Sequence, residues 1–308
     1  MTKSIIFNLS PFNNRADISK AEYIIKKLLG FAVIYMAAAV LGEGIILGGL
    51  YAAGYDALHG DMPGGEVAML LSLYGFAVFA AITLIYRRLV EKKRPEHIGI
   101  KKAGKKYFIG IVIAALLLIA IVLFSCLVGA ASFERQTQKV SPLSIVVWLG
   151  AFMVQGASEE IMCRGFLQGT LQDKLGTRLA VAVSSTVFVG MHLLKTDLMD
   201  SKPVFALLGI VNLYLISWLF SALVIRTGSI VAACGLHSFW NFALSILMGS
   251  TVSGNHSSSN GLIILRVDNG SILMGGEYGL EAGGMTTVIL AIALVILAKR
   301  KDNKNGVQ

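Results

Sequence analysis

Ser158-Glu159-Glu160-Ile161-Met162-Cys163-Arg164-Gly165 lies inside an apolar run, with residues 143–152 (LSIVVWLGAF) upstream and Phe166 and Leu167 directly after it. Three formal charges fall within six residues of this stretch. A charge inside a membrane segment costs a few kcal/mol or more, so it ordinarily faces a bundle interior or a water-filled cavity. A chain that keeps two glutamates there has a use for them, and the apolar flanks set the fold around them.

The flanks are typical of the chain. Of its 308 residues, 55% are hydrophobic and 15% are charged, against about 25% charged in a soluble domain. This composition describes an integral, multi-pass membrane protein, assigned here to the plasma membrane, and the length suits one membrane domain over residues 1–308. The net charge of +9 is held in short blocks between apolar runs, where the positive-inside rule places it. That distribution argues against a nucleic-acid partner. The three cysteines, Cys126, Cys163 and Cys234, lie in apolar segments at no metal-binding spacing and are read as buried small hydrophobes.

Eight apolar runs follow one another, at residues 28–51, 67–86, 107–131, 143–171, 179–194, 204–225, 230–248 and 285–298. Most reach or approach the ~20 residues a spanning helix needs. The predicted fold is therefore all-α, a polytopic transmembrane helical bundle of about eight spans. With both termini inside, only five of the 27 Lys and Arg fall in outside loops: Arg135, Lys139, Lys195, Lys202 and Arg266. The most basic block, residues 87–106 with nine Lys or Arg, then lies inside, where it is suited to anionic lipid headgroups. Residues 249–284 form an extracytoplasmic polar loop that either lids the bundle or, as the favoured reading, simply connects two spans. Glu43, alone in the first span, is read as a helix-packing hydrogen bond.

Three short patterns stand out inside predicted spans: Glu159-Glu160-x3-Arg164, Phe188-x3-His192 and His237-x3-Asn241. Glu160 and Arg164 are four apart, on one helix face, where they can pair and offset each other's desolvation. Glu159 is rotated by roughly 100° from Glu160 and has no balancing group in its own helix, so its partner comes from another span. His237 and Asn241 share a face, and Phe188 sits one turn from His192 as a packing wall. A lone histidine in an apolar helix is more often a packing residue. Two histidines, a glutamate and an asparagine on three spans favour a convergent site.

Such a site has two chemical readings. A carboxylate and an imidazole can hold and deprotonate a water, while a second imidazole and an amide donate to a developing oxyanion. Alternatively, Glu159, His192 and His237 can hold one divalent metal ion such as zinc, with an open position for water. Both readings use the same residues.

The order Glu-Glu-x3-Arg, Phe-x3-His, His-x3-Asn, each in its own span, resembles the CAAX protease and bacteriocin-processing family of membrane-embedded proteases, which includes the type II CAAX prenyl endopeptidase. Arg164-Gly165-Phe166-Leu167 and Arg94-Pro95-Glu96-His97-Ile98-Gly99-Ile100 are further points of similarity, and the family-like core covers residues 93–248. Cys163 departs from the pattern, since an aromatic residue commonly precedes the arginine. The resemblance implies an intramembrane endopeptidase acting on a peptide or a lipid-modified protein. In it Glu159 and His192 activate the water, His237 and Asn241 stabilise the oxyanion, and Glu160, Arg164 and Phe188 give structural support. The family has been described both as metal-dependent and as glutamate-dependent. It also includes immunity proteins, so a non-enzymatic bacteriocin immunity or binding partner is the second reading. A transporter is a third, weakened because no inverted repeat is visible.

Overall fold

The computed structural model describes residues 2–94, 99–100, 103–134, 136, 140–194, 202–252, 261–267 and 270–299. Residues 95–98 of the stretch before the third span, the loop residues Arg135, Lys139, Lys195 and His256, and the basic tail from Arg300 lie outside the described residues. Helices dominate: α1 (Thr2–Leu9), α2 (Lys20–Ala52), α3 (Gly65–Leu89), α4 (Ala103–Leu127), α5 (Pro142–Glu160), α6 (Gly169–Leu175), α7 (Thr177–Leu193), α8 (Pro203–Thr227), α9 (Val231–Phe242) and α10 (Gly284–Lys299). α5 continues through a π-helical segment, Ile161–Gln168, into α6, and α9 continues through a second, Ala243–Leu247.

Five of these helical runs are long and apolar enough to cross a membrane: Lys20–Ala52, Gly65–Leu89, Ala103–Leu127, Pro142–Leu175 and Pro203–Thr227. Thr177–Leu193, Val231–Leu247 and Gly284–Lys299 are shorter apolar helices. The protein is an all-α polytopic membrane bundle, and each apolar run of the sequence coincides with one helix to within a few residues, apart from the start of α2.

The ends of the helices have local causes. α2 begins at Lys20, well before the expected start at residue 28, because Ser19 and Glu22 form a capping box: the Glu22 amide donates to Ser19 Oγ at 3.3 Å and the Ser19 amide to Glu22 Oε2 at 2.9 Å. α5 opens on Pro142, whose missing N–H is harmless at the first helical position. Gly176 alone joins α6 to α7, at φ +81° and ψ 164°, a conformation open to glycine and strained for other residues.

α9 is the centre of the bundle, with eleven of its twelve residues buried. Its neighbours come close because glycines face the contacts. A Cβ on Gly235 would collide with the Tyr107 backbone of α4, and one on Gly110 with the Ala232 and Leu236 backbones of α9. On α5, a Cβ on Gly156 would lie 2.9 Å from the Ser238 amide nitrogen. Small residues at helix crossings let backbones touch where no hydrophobic drive separates helix from lipid. These contacts put the start of the α5 charge cluster against the middle of α9.

Three expectations change here. Arg87, in the basic block, is buried rather than turned to headgroups. Its guanidinium donates to the Gly165 carbonyl of the π-segment and lies 3.5 Å from Glu91, which also accepts from Lys27 Nζ at 2.5 Å. Glu43 is exposed on the outer face of α2, so no helix-packing role inside the bundle falls to it. The third span ends at Leu127, and Ala131–Glu134 is instead a strand, β1, paired antiparallel with β2 (Ile264–Val267). Arg266 grips Glu134 with two hydrogen bonds, at 2.6 and 3.0 Å, and holds its carboxyl below the ordinary carboxylate range.

Among its described residues, the segment read as a connector packs into the bundle between Met274 and Gly283. Met274, Leu280 and Ala282 are buried. Asn212 of α8 donates to the carbonyls of Glu281 and Gly283, and Trp240 of α9 donates to the Glu281 carboxylate at 3.0 Å. Glycines permit the tight path: Gly275, Gly276 and Gly279 all have positive φ.

The close α4–α9 contact predicts that Gly235→Ala lowers stability by about 1–3 kcal/mol, as overpacking of a tight contact does. Gly48→Ala, where a Cβ meets open space, is expected to melt no lower than the wild type in the same detergent.

Candidate active site

The charge cluster is brought together by α5, α7, α8 and α9. Glu160 and Arg164 remain paired although the helix widens between them, with Nη1 donating to Oε1 at 2.9 Å and both side chains fully enclosed. The guanidinium has further support from α8, where Nη2 donates to the Ser217 hydroxyl at 2.7 Å and to its carbonyl at 3.2 Å. Ser217 in turn donates to Ser185 of α7 at 2.9 Å. Phe188 and Phe220 lie 4.5 and 5.0 Å from the guanidinium carbon, so the cation is also held between two aromatic rings.

The widened turn is itself supported. π-turns weaken the regular ladder and recur at functional sites. Here Ser184 of α7 donates to the Cys163 carbonyl at 2.8 Å and Arg87 of α3 to that of Gly165. Two carbonyls of the segment are thus bonded by side chains from neighbouring helices.

His237 joins the two glutamates. Its Nδ1 stands 3.0 Å from Glu160 Oε1, and its Nε2 stands 3.7 Å from Glu159 Oε2. An ionised carboxylate only accepts, so the proton on this ring sits on Nδ1 and the Nε2 lone pair is turned toward Glu159. His192 has the same arrangement by another route: Nδ1 faces the Phe188 carbonyl at 2.9 Å, and Nε2 lies 3.9 Å from the same Glu159 oxygen. Phe188 packs on His192 with ring centroids 4.3 Å apart, while Phe220 stacks on His237 at 4.9 Å. Two imidazole nitrogens therefore converge on one carboxylate oxygen, at distances too long for direct hydrogen bonds.

Two readings from the sequence need amendment. Glu160 is more than an anchor for Arg164, because the same oxygen that holds the guanidinium also orients His237. Glu159 does have a neighbour in its own helix: Gln155, one turn earlier, donates to Oε1 at 2.9 Å. Asn241 reaches that glutamine, with Nδ2 donating to Gln155 Oε1 at 3.0 Å. One N–H of its amide is thereby committed to Gln155, beside the His237 ring. Gln155 was legible, as a lone polar side chain four residues before Glu159 in an apolar run. Phe220 and Ser217 carried no such signal, being ordinary members of the apolar sequence of α8.

The donor types of Glu159, His192 and His237 suit a divalent ion such as zinc. Their spacing is wider: ligands on one tetrahedral ion with bonds of about 2.0–2.1 Å stand ~3.3 Å apart. Among the described residues, no group of three or more His, Cys, Asp or Glu is placed to hold a metal ion.

Taken together, an apolar helical bundle enclosing a carboxylate, two imidazoles and an amide defines a multi-pass membrane protein with a buried polar site. Residues 141–243 match the family described as type II CAAX prenyl endopeptidase Rce1-like, and that segment supports the likeness to the CAAX protease family. The match contains every residue of the cluster and begins after α4, so it is narrower than the core of 93–248 expected from the motifs. No curated protein matches the chain closely enough to count as a relative.

Removing Glu160 leaves Arg164 buried without its counter-charge and frees His237. Breaking a buried pair by deleting one partner costs about 3–5 kcal/mol. Glu160→Ala is therefore expected to accumulate poorly and to melt well below wild type in detergent. An unchanged melt would disprove the pairing as a stabilising contact.

Proposed function

We propose that the protein is an intramembrane endopeptidase that hydrolyses a peptide bond in a prenylated, CAAX-type substrate of the plasma membrane, using a water activated by Glu159. One observation carries this reading: the Nε2 atoms of His192 and His237 both face Glu159 Oε2, at 3.9 and 3.7 Å. A water seated among these atoms has acceptors for its protons and a carboxylate positioned as general base.

In the proposed reaction the water attacks the scissile carbonyl while Glu159 Oε2 takes one of its protons. His192 accepts a hydrogen bond from the other and fixes the orientation of the attacking lone pair, its ring locked by the Phe188 carbonyl. Asn241 donates to the oxyanion. His237, its ring held by Glu160 through Nδ1, does the same when Nε2 carries a proton. Glu159 then returns its proton to the leaving amine, so the step balances without a covalent intermediate. Burial strengthens each of these interactions relative to water. Should a divalent metal be bound, Glu159, His192 and His237 are the side chains to hold it, and it would lower the pKa of the same water.

The bundle fits a substrate carrying a lipid. An isoprenyl chain partitions into the bilayer and brings the adjoining peptide to a site at membrane depth, while an N-in, C-in arrangement of eight spans places the basic block at the cytoplasmic face. Among the described residues of that block, Arg88, Lys92, Arg94 and Lys105 are exposed, as contact with anionic headgroups requires.

Glu159→Gln keeps the shape and removes the base. Cleavage of an internally quenched farnesylated peptide by purified protein is expected to fall by at least about 100-fold, within the range for loss of a general base, with an unchanged melting temperature. A wild-type rate in that variant would overturn the assignment. Exhaustive chelation is expected to leave cleavage intact. Activity lost on chelation and restored by zinc would show instead that the three side chains work through a metal.

A further inference from the structure

We infer that Gln155 is a positioning residue that ties the base to the oxyanion donor, an inference that rests on the reaction proposed above. Gln155 is buried, one helical turn before Glu159, and its amide is engaged at both ends. Nε2 donates to Glu159 Oε1 at 2.9 Å, and Oε1 accepts from Asn241 Nδ2 at 3.0 Å.

The direction of this chain is fixed by charge. Ionised Glu159 can only accept, so Gln155 must turn its NH2 group toward it. The glutamine carbonyl then faces α9, and Asn241 must offer an NH2 hydrogen in return. One carboxylate thereby sets the orientation of two amides on two helices. Reversing either amide would place oxygen against oxygen inside the bundle, where an unsatisfied polar group costs about 1–3 kcal/mol.

The chain performs two tasks. The terminal torsion of a glutamate is broad and roughly two-fold, so an untethered carboxylate can exchange its oxygens or rotate off line. With Oε1 held by Gln155, Oε2 stays directed at His192 and His237. Asn241 is held as well: one N–H is committed to Gln155, which fixes the plane of the amide and the direction of the other. The bond also crosses the bundle beside Gly156, where the α9 backbone at Ser238 lies close against α5. Base and oxyanion donor are thus registered through a single side chain belonging to neither group.

The test uses full-length protein in detergent, the farnesylated quenched peptide, and two variants, Gln155→Met and Gln155→Asn. Methionine keeps the length and loses both hydrogen bonds, while asparagine is too short to reach both partners. Whichever melts like wild type is read. We expect kcat to fall about 10- to 100-fold, the usual effect of removing a partner that orients a first-contact group, with KM little changed. Combining Gln155→Met with Asn241→Ala should lower kcat by less than the product of the two single losses, because the part of the glutamine's effect that passes through Asn241 is already gone in the second variant. Wild-type kcat, a raised KM with kcat intact, or losses that multiply in the double variant would each overturn the role. Glu159→Gln is run alongside. If it is active the proposed reaction falls, and if it is dead while Gln155→Met cleaves normally only the positioning role falls.

Discussion

A guanidinium enclosed among apolar helices is the constraint around which this molecule is built. Arg164 cannot stay there alone, so Glu160 supplies the counter-charge, Ser217 fills a second direction, and Phe188 and Phe220 cover its faces. The partners are drawn from three helices, which obliges α5, α7 and α8 to meet at one level. The same carboxylate oxygen that neutralises Arg164 holds His237, and through it α9. A stabilising ion pair and the geometry of a candidate catalytic histidine are therefore one arrangement, and neither can be altered without the other.

Two features above and below this level keep it in register. On one side, Gly156 lets the α9 backbone approach α5, so that histidine and glutamate reach each other without long, flexible side chains. On the other, the π-segment widens the helix immediately after Glu160, and its carbonyls are taken up by Ser184 and Arg87. Arg87 also neighbours Glu91, which accepts from Lys27. A network that begins at the start of α2 thus ends one residue beyond Arg164. The widened turn is supported from outside rather than left to the regular helical ladder.

Much of this was legible in the sequence, and the parts that were not share a cause. Helical spacing paired Glu160 with Arg164 and separated Glu159 from them, because four residues return to one face of a helix and one residue does not. The meeting of Glu159, His192 and His237 followed from the cost of leaving each alone in lipid. The placing of His237 between the two glutamates, bonded to Glu160 and 3.7 Å from Glu159, did not follow, since it depends on how deeply α9 sits against α5. Arg87 shows the same limit: within a run of positive charges, nothing local marks the one that turns inward. The strand at Ala131–Glu134 was hidden because its partner lies far along the chain, and pairing of that kind leaves no periodic trace in four residues. Residues 270–283 read as a connector because glycine and polar side chains suit loops. Their burial arises from Asn212 and Trp240, which reach them from two other helices.

α9 carries the consequence that extends furthest. Together with its π-turn it is a short helix, and eleven residues of Val231–Phe242 are walled off by protein. A helix facing acyl chains has to match the hydrocarbon thickness, tilting or distorting the bilayer when it does not. α9 is released from that obligation because its solvent is the rest of the chain. It can therefore be short, rich in small residues and polar at His237, Ser238 and Asn241 without disturbing the lipid around it. Hydrophobic mismatch acts on the encircling helices, so the innermost histidine and amide are insulated from variation in membrane thickness that their neighbours must absorb.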